Sequence, residues 1–115
     1  MSQHVTDPES WIAEHLSAPQ KKFARFAQRA YDGDALSRKT KELIAAATSS
    51  VARCPHCTNG HLETAKDEGA SKAAVAEALG VAWVIGSGTQ VAWNQEGFER
   101  HLHTDETGAQ RENLE

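Results

Sequence analysis

The sequence predicts an all-α protein, and three observations carry that expectation. Apolar residues recur at three- and four-residue spacing, as in Phe23, Phe26, Ala27, Ala30 and Tyr31, which is the period of a helix with one buried face. Residues that open and close helices punctuate these runs, among them Ser37, Gly69 and Ser71. No stretch alternates apolar and polar residues between turn signals as a half-buried strand does.

Taken in order, Asp7-Pro8 is a cap residue followed by proline at a first helical position. Trp11, Ile12, His15 and Leu16 then give a short helix up to about Ser17. Pro19 opens a second, with its basic residues opposite the aromatic side, ending at the turn cluster Asp32-Gly33-Asp34. Ser37 caps a third, whose apolar stripe is Leu43, Ile44, Ala47 and Val51 and whose alanines allow close packing. A fourth starts at Cys54 and runs to about Glu68, with Gly69 in the left-handed position that commonly follows a helix. Ser71 opens a fifth through Leu79. Gly86-Ser87-Gly88 is expected to break the apolar segment that follows, leaving a short helix before it and a last one from about Thr89 to His101. Leaving aside the short helix before the break, the expected bundle has about six helices.

At 115 residues the chain has room for one modest core, and association would add to it. The expected organisation is residues 1–36 as N-terminal helices packing on a core of 37–103, with a polar, frayed tail over 104–115. A net charge of −4 disfavours general nucleic-acid binding. Seven of the twelve cationic residues nevertheless fall between Lys21 and Lys41, either a solvated helix face or a docking surface for an acidic partner. No apolar run is expected to reach the ~20 residues of a membrane span, and no signal-peptide core opens the chain, so the expected setting is the cytoplasm.

The chemistry concentrates in Arg53-Cys54-Pro55-His56-Cys57-Thr58-Asn59-Gly60-His61, which holds both cysteines. Thiols two residues apart in a cytoplasmic chain suit a reversible disulfide or a metal site better than a structural staple. Pro55 fits the first turn of a helix, where its missing N–H has no intrahelical partner anyway. Cys57 and His61 are then four residues apart on one face, an imidazole within reach of a sulfur. An ordinary cysteine pKa of about 8.5 leaves only a few per cent thiolate at pH 7. Activation is available from His61, from the helix N-terminus beside Cys54 and from Arg53. Cys57 is favoured as the attacking sulfur because it alone has the histidine one turn on. Cys54 would resolve the product; the reverse assignment stays open. Zinc held by Cys54, Cys57, His61 and a fourth ligand such as His56 is the rival reading. A helical scaffold with an inert cysteine pair is another.

These residues resemble a known pattern. Glu42, then Cys54-Pro55-His56-Cys57 twelve residues on, then His61, followed by Gly69-Ala70-Ser71 and the break at Gly86-Ser87-Gly88, look like the core of the carboxymuconolactone decarboxylase/AhpD-like superfamily, in its alkylhydroperoxidase branch. The resemblance implies an AhpD-like helical bundle assembled into trimers or hexamers. It implies thiol-dependent peroxidase or disulfide-reductase activity with no cofactor and no metal, while the charge and the apolar runs give the expectation of no nucleic-acid and no membrane partner. Its substrates would be hydroperoxides or protein disulfides, and its electron donors thioredoxin-like or lipoyl dithiols. Carried onto this chain, it makes Glu42, Cys54, His56, Cys57 and His61 the catalytic set.

In that set Glu42 orients His61. Continuous helix would hold Glu42 and Cys54 ~18 Å apart, so the role requires a bend near Ala52-Arg53 that folds two helices side by side. Otherwise Glu42 is a surface residue paired with Arg38 or Lys39. His56 is either a stabiliser of thiolate or a solvent-facing spacer. Trp83 and Trp93 are expected as core or interface anchors, with the wall of an apolar substrate pocket as the alternative. His101 and His103 are expected to be exposed.

Overall fold

A computed structural model describes residues 9–102. The expectations for Asp7-Pro8, His103 and the tail over 104–115 lie outside these residues. Among the described residues the protein is all-helical: α1 (Trp11–His15), α2 (Ser17–Tyr31), α3 (Arg38–Val51), α4 (Pro55–Asp67) and α5 (Lys72–Leu102). They fall into two compact units, one ending at Trp83 and one beginning at Val84.

The helix starts in the first unit follow from local side-chain chemistry. Ser10, Ser37 and Ser71 each accept a hydrogen bond from the amide three residues on, at 3.3, 3.1 and 3.0 Å, which satisfies an N–H that the first helical turn would leave unpaired. Pro19 stands third in α2, inside the turn where a missing N–H costs nothing. Lys41 Nζ donates to the carbonyl oxygens of Tyr31, at 2.7 Å, and of Gly33, tying the α2–α3 connection to α3.

Both ends of the α3–α4 hairpin close in the same way. At the end of α4, Gly69 N–H donates to Lys66 O and Ala70 N–H to Ala65 O, with Gly69 at φ 90°. At the end of α3, Arg53 N–H donates to Ser50 O and Cys54 N–H to Ser49 O, with Arg53 at φ 59°. Each is the paired closure that needs one left-handed residue. Glycine fills that position freely, whereas a side-chain-bearing residue there costs ~1–2 kcal/mol. Arg53→Gly is therefore expected to stabilise the protein by about 0.5–1 kcal/mol, after allowing for the freer unfolded chain. Thermal denaturation at matched protein concentration measures it, and an unchanged or lower midpoint would contradict the assignment of strain to Arg53.

This bend lays α3 and α4 against each other. Ala46 and Ala65, at 1% and 0% exposure, are the most buried apolar side chains described, with Ala27 and Ala82 close behind. Such small residues let the helix backbones approach closely. The same burial encloses Gln20, Glu42 and His61. No large apolar side chain is fully buried among the described residues.

Two sequence expectations are corrected here. The break at Gly86-Ser87-Gly88 is absent: α5 is helical from Lys72 to Leu102, so five helices are described rather than six. Mid-helix glycine costs only about 1 kcal/mol relative to alanine, less than abandoning several backbone hydrogen bonds, and neither proline nor positive φ interrupts the run. Continuity also joins the apolar stretches on either side of Gly86-Ser87-Gly88. The resulting helix is, by length and composition alone, long and apolar enough to cross a membrane, with an 18-residue window of mean hydropathy 1.2. Secondly, Trp83 and Trp93 are not core residues of this chain, being 78% and 85% exposed. The second unit shows Val84, Ile85, Val91, Phe98 and Leu102 exposed as well. Its helix is supported locally by Asn94 Nδ2 donating to Gln90 O at 2.9 Å, Gln95 Nε2 donating to Glu99 Oε1 at 3.1 Å, and the Arg100–Glu96 ion pair.

Candidate active site

The site grows out of the α3–α4 bend. Cys54 is the N-cap of α4, and its Sγ accepts from the Cys57 N–H at 3.2 Å. Pro55 follows at the first helical position and prepares the backbone for the turn that carries Cys57. Thr58 adds a second clasp, its Oγ1 donating to Cys54 O at 2.9 Å. The two cysteines are joined in a disulfide, their Cα atoms 5.3 Å apart, within the usual range for such a bridge. Both are half-buried.

His61 lies one turn beyond Cys57 on α4 and is 4% exposed. Its Nδ1 is 2.7 Å from Oε2 of Glu42, which comes across from α3 and is 3% exposed. A carboxylate can only accept, so Nδ1 carries the proton and the basic lone pair of the neutral ring lies on Nε2. Glu42 is therefore a buried partner of His61, not a surface mate of Arg38 or Lys39. Arg38 instead pairs with Glu68 at 3.4 Å. The separation of twelve residues between Glu42 and Cys54 is bridged by the bend at Arg53, as the orienting role requires.

Of the other expected site residues, His56 follows Pro55 in the first turn of α4 with its side chain on the exposed side. His101 is exposed near the end of α5. The zinc reading gains nothing from the geometry: no group of three or more His, Cys, Asp or Glu is placed to hold a metal among the described residues. Two features escaped the sequence. Tyr31, at the end of α2, stands close enough to feel the site: burial raises its phenol pKa above the ordinary value, the Glu42 carboxylate adds to this, and Arg38 opposes it. The other is the left-handed Arg53, where only glycine or asparagine would have signalled such a turn.

The carboxymuconolactone decarboxylase family model matches residues 18–94, a span that contains the bend, both cysteines, Glu42 and His61. The chain belongs to the carboxymuconolactone decarboxylase family. An uncharacterized protein of the cox locus of Paracoccus denitrificans is 36% identical over 70 residues, 61% of this chain and 63% of that protein. The chain thus spans under two thirds of that relative's length. A crystal structure of a protein from Methanobacterium thermoautotrophicum superposes with a TM-score of 0.68 at 30% identity, covering 74% of this chain and 96% of that one. The helical fold is the family's, and the family includes both decarboxylases and alkylhydroperoxidases. Within it, this chain carries a half-buried sulfur pair one helical turn from a buried imidazole–carboxylate pair.

Proposed function

We propose that this member of the family is a thiol-dependent oxidoreductase that reduces organic hydroperoxides or a partner's disulfide. The observation that carries the reading is the Glu42–His61 pair, 2.7 Å apart and buried one helical turn beyond a disulfide-forming cysteine pair. A lone disulfide closing so short a loop would do little for stability. A buried, oriented base beside it is the arrangement that activates a thiol.

In the reduced protein, His61 takes the proton of Cys57. The thiolate attacks one oxygen of the hydroperoxide, the O–O bond breaks, and the second oxygen leaves as an alcohol with the proton His61 returns. Cys57 is now a sulfenic acid. Cys54 attacks its sulfur, water leaves, and the Cys54–Cys57 bond forms. A thioredoxin-like or lipoyl dithiol returns the pair to thiols by exchange and is itself oxidised. His56 assists at the first turn of α4. A cytoplasmic setting, where thiol pools are kept reduced, suits a pair that must be regenerated.

The test follows peroxide consumption by the purified protein with thioredoxin-like and lipoyl donors in parallel, with free thiols counted at each stage. Loss of two thiols on peroxide addition and their return with the donor supports the reading. Thiols that survive peroxide unchanged would sink it.

The same proposal includes a homo-oligomer, a trimer or hexamer, in which neighbouring copies cover the apolar side chains of α5. Trp93, at 85% exposure, is the kind of large anchor that such contacts use. Trp93→Lys is expected to lower the solution mass to that of a monomer at micromolar concentration, as read by light scattering. A mass unchanged by this substitution would remove Trp93 from the interface.

A further inference from the structure

A hollow of about 350 Å³, open to solvent, lies where α3 ends and α4 begins, lined by Ser50, Arg53, Cys54, Pro55, Thr58 and Asn59. It admits Cys54 but neither Cys57 nor His61. A molecule seated there meets one end of the disulfide only. We propose that this hollow is a subsite for the carboxylate of a small anionic dithiol, the reductant that reopens the disulfide, with Arg53 as its specificity-determining residue. The inference rests on the redox reading of the cysteine pair and adds to it a charge requirement on the donor and the residue that imposes it.

Three observations support it. The lining carries one cation and no carboxylate, in a chain whose net charge is −4. Arg53 forms no ion pair among the described residues, so its guanidinium is available to a ligand, and its planar donors match a carboxylate in two-point contact. Its backbone is held left-handed at φ 59°, in the turn position that Gly69 fills after α4. A strained residue persisting beside a reactive group is where function is sought.

The volume is at the lower end of small-molecule sites, ~300–1,000 Å³, which suits a short aliphatic dithiol. With its carboxylate on Arg53, one thiolate of the donor attacks Cys54 Sγ. The Cys54–Cys57 bond breaks and Cys57 leaves as a thiolate beside His61, which supplies its proton. The donor's second thiol then attacks its own sulfur in the mixed disulfide, releasing Cys54. The donor ends as a cyclic disulfide. Two electrons and two protons have passed to the cysteines.

Reduced lipoate and reduced lipoamide test this, because they share one dithiol and differ in a remote carboxylate against a neutral amide. The oxidised full-length protein is mixed anaerobically with each at low ionic strength, and new thiols are counted by alkylation and mass spectrometry. The expected result is a rate for lipoate about tenfold above that for lipoamide. The ratio falls to within twofold in Arg53→Gln and in Arg53→Gly, the latter chosen because it relieves the backbone and is not at risk of unfolding. It persists in Lys39→Gln, at the far end of α3. Equal rates in the unaltered protein, or a ratio that survives both Arg53 substitutions, overturn the subsite while leaving disulfide exchange intact. A ratio lost equally in Lys39→Gln also overturns it, in favour of a diffuse field. Failure of both dithiols to reduce the protein overturns the subsite, and the redox reading falls with it only if a thioredoxin-like dithiol also leaves the disulfide intact.

Discussion

Cys57→Ser abolishes turnover: the expected peroxidase rate falls at least about a thousandfold, the scale on which loss of a nucleophile is felt. Serine keeps the size and the hydrogen-bonding capacity of the position but cannot supply a thiolate. His61, one turn away on α4, has no thiol left to activate. The companion substitution separates the two sulfurs. Cys54→Ser leaves Cys57 able to attack once, so one equivalent of hydroperoxide is consumed and a sulfenic acid accumulates, trappable with dimedone and visible by mass. Cys57→Ser consumes none. If the patterns are reversed, with the trapped sulfenic acid on Cys54, the roles of attacking and resolving cysteine exchange. If both variants turn over like the unaltered protein, sulfur chemistry is not the activity.

Glu42 carries the second large effect, and two substitutions divide it. Glu42→Gln keeps the shape and an oxygen that accepts the Nδ1–H of His61, so the fold and the assembly stay intact. What it removes is the negative charge that supports an imidazolium when His61 takes the thiol proton. Positioned acid–base groups are worth ~10²–10⁴ in rate, and a loss of about a hundredfold is expected here. Glu42→Ala removes the acceptor as well and leaves His61 buried without it. Breaking one side of a buried pair costs about 3–5 kcal/mol, a large share of the stability of a small domain. The expected outcome is a midpoint lowered by ten degrees or more. Equal rates for Glu42→Gln and the unaltered protein would reduce Glu42 to a structural partner. A Glu42→Ala protein of undiminished midpoint would contradict its burial.

Much of this corner was legible from residues alone. The Cys54–Cys57 spacing, the proline between them and His61 four residues on fix one helical turn whatever the rest of the chain does, because the geometry is local. Glu42 was legible as a candidate, but its partner lies nineteen residues away in sequence, and that contact exists only if the chain reverses. The reversal depends on a left-handed residue, and Arg53 is not one that announces a turn. The closure hydrogen bonds from the Arg53 and Cys54 N–H groups to Ser50 O and Ser49 O accompany that conformation, and they are visible only once the chain is folded. The continuity of α5 was misread for the opposite reason. Gly86 and Gly88 look like punctuation, yet glycine permits a break without compelling one. The exposure of Trp83 and Trp93 was beyond reach, since periodicity marks an apolar face without saying whether the same chain or another covers it.

The hydrogen bond from the Cys57 amide to Cys54 Sγ has a spectroscopic corollary. Its acceptor is a neutral bridged sulfur in the oxidised protein and a free thiol or thiolate after reduction, so the proton of that single peptide group sits in two different electrostatic surroundings. Its nuclear resonance should shift downfield and its exchange with deuterium slow as charge gathers on the sulfur. A nitrogen-15 label on one backbone atom then serves as a native gauge of the protein's electron load, with no dye attached.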